Sequence, residues 1–152
     1  MSQEHQYQLC INWEGETRNY NAYSRSHYIS AEGKPNIYCS SDVSFRGDAT
    51  MYNPEEMLVA SIASCHMLWY LHLCAEAKIV VIKYTDNPVG IMLEAKDGSG
   101  AFKEVILHPN VIVTEASMID LANELHKIAN KKCFIANSVN FPILHRPMCI
   151  LQ

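Results

Sequence analysis

The sequence predicts an α+β fold, antiparallel strand groups around two central helices, on three observations. A helix-start signal, Asn53-Pro54-Glu55-Glu56, opens a long uncharged run; a second apolar stripe ends at Lys131-Lys132; and segments rich in β-branched residues lie before, between and after them. No repeat or linker divides the 152 residues, so one domain over 1–152 is expected.

Residues 7–13 alternate in part at period two, and 17–23 and 27–31 follow Glu14-Gly15 and the turn-forming region of Asn21. They predict an opening antiparallel group. In the first helix Asn53 is the cap, Pro54 the first helical residue, and Glu56 stands where it can close a capping box. From Met57 to Ala75 there is no Asp, Glu, Lys or Arg, close to the ~20 apolar residues a bilayer span needs. Ser61, Ser64, His66 and His72 interrupt the run and no basic flank precedes it, so a buried central helix is expected instead.

Residues 79–84, 89–95 and 102–113 read as a meander, separated by Thr85-Asp86-Asn87-Pro88 and by Lys96-Asp97-Gly98-Ser99-Gly100. The second helix is expected to begin at Ser117, with Asp120 completing its cap, and to run through Leu121, Ala122, Leu125, Ile128 and Ala129. Cys133 then opens a short further helix over 134–139, which Phe141-Pro142 stops. Residues 143–151 supply a last strand, confined by Pro147 to an edge or a bulge.

Twelve basic against sixteen acidic residues give a net charge of −4 with no basic run, which excludes a surface that tracks phosphates; no nucleic-acid partner is expected. The first six residues lack the basic-then-apolar pattern of a secretory signal, so a cytoplasmic protein with no membrane partner is expected. There the six cysteines serve catalysis, metal binding or burial rather than structural disulfides, and none forms a Cys-x-x-Cys pair. Cys65, His66, His72, His126 and Cys133 offer metal-ligand chemistry. Neither Cys65 with His66 nor His66 with His72 has the i, i+4 spacing that shares one ion, so no metal and no cofactor is expected.

Cys65 lies within an apolar helix, where burial alone leaves a thiol inert; Cys133 stands at a helix start, where amide dipoles favour a thiolate. A redox reading needs a cation beside Cys65. Arg18, Arg25 and Arg46 precede the first helix, and Glu55 in its first turn is placed to hold a guanidinium.

The stretch from Asn53 to Cys65, followed downstream by Cys133-Phe134-Ile135-Ala136-Asn137-Ser138-Val139, resembles the OsmC/Ohr family of osmotically inducible and organic-hydroperoxide-resistance proteins. Cys65-His66-Met67-Leu68 and Tyr23-Ser24-Arg25-Ser26-His27 resemble its OsmC-like branch. The resemblance implies an OsmC-like fold in an intertwined homodimer with sites at the interface. It also implies a two-cysteine hydroperoxide reductase, acting on organic hydroperoxides and on hydrogen peroxide, in oxidative stress defence.

By matching positions, Cys65 is then the peroxidatic thiol, Cys133 the resolving thiol, Arg25 (with Arg18 second) the activating cation, and Glu55 its orienting carboxylate. An external dithiol of lipoyl type is the implied reductant. Asn130 departs from the family, whose members often carry histidine three residues before the resolving cysteine. The alternative is a non-catalytic stress or small-ligand-binding protein of the same fold.

Overall fold

Local hydrogen bonding accounts for the start of the first helix. In the computed structural model, which describes residues 3–152, α1 spans Pro54–Glu76. The Glu56 backbone N–H donates to Asn53 Oδ1 at 2.8 Å, and the Asn53 N–H donates to Glu56 Oε2 at 3.1 Å. This reciprocal capping box satisfies two amides that the helix itself leaves unpaired. By length and composition α1 could cross a membrane. Yet Ile62, Ala63, His66, Tyr70, Leu73 and Cys74, at helical spacing, bury one stripe of it in protein.

The residues group into two compact units, Met1–Met57 and Leu58–Gln152, whose boundary falls inside α1 rather than in a linker. The first unit holds β1 (Cys10–Asn12), β2 (His27–Ser30) and β3 (Ile37–Cys39), an antiparallel sheet in that order. The strand expected at 17–23 does not form. Asn19 closes turns there, its carbonyl accepting from Ala22 N–H at 3.0 Å and its side chain from Asn21 N–H at 2.9 Å, a local pairing that competes with a ladder.

The second unit contains β4 (Val81–Thr85), β5 (Val89–Glu94), β6 (Gly100–Leu107), β7 (Asn110–Val113), α2 (Ile119–Lys132), β8 (Ile143–His145) and β9 (Met148–Leu151). The expected meander is replaced by a β5–β6 hairpin and a β4–β7 pair. His108-Pro109 divides the 102–113 run: Pro109 brings no N–H to a ladder, and the His108 N–H donates to Asp86 Oδ1 at 2.7 Å. The chain therefore leaves one sheet and pairs anew in the other.

Nor are the sheets wholly antiparallel. β8 runs parallel to β6 and β9 parallel to β7, because the segment containing α2 is the long crossover that parallel pairing requires. Pro147 splits the last strand between the sheets β5-β6-β8 and β4-β7-β9. At the split, Arg146 N–H donates to Leu107 O at 2.9 Å and Met148 N–H to Pro109 O at 2.8 Å.

α2 starts later than expected. A 3-10 turn at Ala116–Met118 precedes it, and neither Ser117 nor Asp120 caps it through a side chain. Its stripe of Ala122, Leu125 and Ala129 packs with Tyr70 and Leu73 of α1 and with Val111 and Val113 of β7. Ile62 and Ala63 pack separately on Val105 and Leu107 of β6. The helices bearing the two cysteines of interest are thus fixed to the sheets of one unit.

Candidate thiol site

Ser61, Ser64, Cys65, Leu68, Trp69 and His72 recur at the three- and four-residue steps that align side chains along one helix face, and this stripe of α1 lines an open cleft of about 550 Å³. Phe134 and Ile135, just beyond α2, complete it. The Trp69 ring meets the Phe134 ring edge-on at 5.7 Å between centroids, and Lys132 Nζ lies 5.2 Å from the Trp69 centroid. The cleft therefore offers aromatic apolar surface with a cation at Trp69.

Cys65 is half-buried on this stripe, and Cys133 is fully buried beside it. The structure thus brings together two thiols carried by different helices. Cys133 ends α2, its N–H bonded to Ala129 O at 2.9 Å, and also begins the next turn, its carbonyl accepting from Asn137 N–H at 3.0 Å. Its sulfur accepts from Ala136 N–H at 3.4 Å.

The turn expected after Cys133 is present, as a 3-10 helix over Ala136–Ser138. The thiolate expected from its amides is not favoured. Burial pushes the Cys133 thiol up to about 11, the neighbouring Cys65 thiol adds to the rise, and the Ala136 and Ile135 amides offset only part of it. Cys133 is held as a protonated, desolvated thiol.

The remaining sequence-predicted residues lie in the first unit. Arg25 borders a cavity of about 380 Å³ with Trp13, Tyr23, His27 and Pro54. Its guanidinium donates to the carbonyls of Tyr23 and Tyr20, and its Cζ stands 3.7 Å from the Tyr23 ring centroid. Arg18 pairs with Glu16 at 2.8 Å, both exposed. Among the described residues Glu55 forms no ion pair, so the expected Glu55–arginine contact is absent from the single chain. The sequence shows that the arginines precede α1 and that Glu55 lies in its first turn, but not that the backbone carbonyls of Tyr20 and Tyr23 take the guanidinium's donors.

The sequence offers His66 and His126 as metal-ligand types; the structure makes them partners of each other. His66 Nε2 and His126 Nδ1 are 3.0 Å apart in the core, with coplanar rings, so one nitrogen donates and the other accepts. Tyr70 stacks on His126 at 3.8 Å, and the His145 ring lies 5.8 Å from His66. Burial holds His66 down at about 4 and His126 at about 3, with the neighbouring histidines adding to both falls.

The available signal was positional: His126 falls on the stripe of Ala122, Leu125 and Ala129, a core position. Among the described residues no group of three or more Cys, His, Asp or Glu side chains is arranged to hold a metal ion. Asn130 is partly buried, its Oδ1 without a partner among the described residues.

Residues 47–145 match the family model described as OsmC-like protein. No curated protein matches the sequence. Among solved structures, the chain is similar to an OsmC-like protein of unknown function from Vibrio cholerae, at 28% identity and a TM-score of 0.85, over 95% of this chain and 100% of that one. It is also similar to an organic hydroperoxide resistance protein from Elizabethkingia anophelis, at 18% identity and a TM-score of 0.69, over 99% and 100% of the two chains. A third, an organic hydroperoxide resistance protein from Legionella pneumophila, shares 14% identity at a TM-score of 0.66, over 96% and 98%. The latter two are similar in fold.

Proposed function

Because the chain belongs to the OsmC-like family, we propose that it is a two-cysteine thiol peroxidase that reduces organic hydroperoxides. The observation that carries this reading is the adjacency of the Cys65 and Cys133 thiols at an apolar cleft. The Cys65 thiolate attacks the distal oxygen of a hydroperoxide ROOH; the O–O bond breaks, ROH leaves with a proton, and Cys65 becomes a sulfenic acid. The Cys133 thiol then attacks that sulfur, forming the disulfide and releasing water. An external dithiol of lipoyl type, oxidised to its cyclic disulfide in two exchanges, restores both thiols.

Each residue follows from what its step needs. Cys133 reacts as its thiolate, and the proton it gives up passes to the sulfenic hydroxyl, so that the displaced group leaves as water. Trp69, Leu68 and Phe134 favour a bulky organic group over hydrogen peroxide, at roughly 25 cal/mol for each Å² of apolar surface buried. Arg25, held in the single chain by the Tyr20 and Tyr23 carbonyls, is the proposed cation that favours the Cys65 thiolate, with Arg18 second and Glu55 the proposed carboxylate; these roles rest on the family resemblance.

The working form is a homodimer in the cytoplasm, with no membrane or nucleic-acid partner. Leu68, 61% exposed on α1, and Tyr7, 87% exposed, are apolar surfaces of the kind a second copy covers.

The test is turnover of cumene hydroperoxide against hydrogen peroxide, with dihydrolipoamide as reductant. Catalytic consumption is expected for both, with kcat/KM about tenfold or more higher for the organic peroxide. Binding of cumene hydroperoxide without consumption would identify a non-catalytic ligand carrier instead.

A further inference from the structure

Cys65 and Cys133 belong to different helices, so in the reduced protein their spacing depends on how α1 and α2 are held. A disulfide tolerates little error: its Cβ atoms must come within about 3.5–4.5 Å. Among the described residues, one side-chain hydrogen bond joins these helices, between His66, next to Cys65, and His126, seven residues before Cys133 and so two turns away on the same face of α2.

The surroundings make this bond unusually decisive. Both rings are fully buried, and neither His66 Nδ1 nor His126 Nε2 has a partner among the described residues. Each imidazole thus has the other as its polar contact, in surroundings where a hydrogen bond is stronger than in water and a group left without a partner is costly. Tyr70, one turn beyond His66 on α1, stacks on the His126 ring and fixes its plane. The bond consequently has a preferred length and direction, and it acts beside Cys65.

We propose that the His66–His126 hydrogen bond is the positioning element of the thiol pair, setting the separation of α1 and α2 at which the Cys65 sulfur reaches Cys133. The inference rests on the two-thiol reading above. Neither histidine touches the peroxide; their effect is on the effective concentration of one thiol at the other.

The test uses the full chain, equilibrated at pH 7.5 with mixtures of reduced and oxidised dithiothreitol, quenched by alkylation and mapped by mass spectrometry. In the exchange the oxidised reagent takes the two electrons and two protons that the protein thiols lose. Replacing both rings with apolar side chains, His66→Leu with His126→Leu, is expected to lower the equilibrium constant for the Cys65–Cys133 disulfide about tenfold or more. The amide pair His66→Gln with His126→Asn places polar atoms near the lost Nε2 and Nδ1, and is expected to stay within about threefold of the unsubstituted protein.

An unchanged constant in the apolar pair would overturn the proposal. So would a tenfold loss in a folded amide pair, which keeps the test decisive if the apolar pair fails to fold. If the unsubstituted protein forms no Cys65–Cys133 disulfide, the two-thiol reading falls first; if it does and the apolar pair matches it, only the positioning role falls.

Discussion

Cys65→Ser is expected to lower the rate of cumene hydroperoxide reduction at least about a thousandfold, to the level of the reductant alone. A serine hydroxyl carries no thiolate at neutral pH and is a poor nucleophile toward peroxide oxygen, while its size leaves the α1 stripe and the cleft intact. The contrast with Cys133→Ser gives the comparison its force. That variant keeps the attacking sulfur, so it should consume about one peroxide per chain in a rapid first phase, as the mechanism of successive thiol steps requires. It should then stall or continue slowly with the external dithiol acting directly on the sulfenic acid. Stopped-flow measurement of peroxide loss separates the two. Equal loss of the first phase in both variants would show that Cys133 is needed for the attack itself, and full activity in Cys65→Ser would remove the assignment.

The second large effect is on stability in acid. His66 and His126 are held neutral in the core, at about 4 and about 3, whereas in an unfolded chain each titrates near 6.5. Below 6.5 the unfolded chain therefore binds protons that the folded one refuses, so stability is fully present above about pH 6.5 and falls as pH drops from there towards the folded values. The pair faces Tyr70 on α1, Tyr84 on β4 and His145 on β8, and the last, itself lowered by burial, supplies no countercharge. Lys127 on α2 adds positive charge against His145.

Between pH 7.5 and pH 5 the expected loss is about 2 kcal/mol per histidine, a large share of the roughly 5–15 kcal/mol that holds a domain together. Urea unfolding followed by circular dichroism at the two pH values measures it. The amide pair at 66 and 126, which cannot titrate, should lose most of this dependence. An equal acid loss in that variant would assign the effect to other groups.

What could be read ahead of the structure depended on how local its cause was. The capping box at Asn53 and Glu56 involves four consecutive residues, and α1 forms where they place it. The turn after Cys133 is equally local. The strand partners were not legible, because β4 pairs with β7 rather than β5 through contacts distant in sequence, such as the His108 amide on Asp86 across 22 residues.

The parallel pairings of β8 and β9 likewise depend on where Pro147 lets the chain change sheets. At the site, the side-chain types were plain but their meeting was not. No spacing predicts that Cys65 and Cys133 adjoin, and the family resemblance alone paired them. The His66–His126 contact is hidden for the opposite reason: spacing along one helix says nothing of a partner that lies on the other.

One measurement addresses the proposed chemistry most directly. The reduced protein, treated with one equivalent of cumene hydroperoxide and alkylated at once, should yield on peptide mapping a disulfide between Cys65 and Cys133, with Cys10, Cys39, Cys74 and Cys149 recovered as free thiols. A linkage through Cys74 or Cys149, or six alkylated thiols with the peroxide unconsumed, would contradict the two-cysteine mechanism.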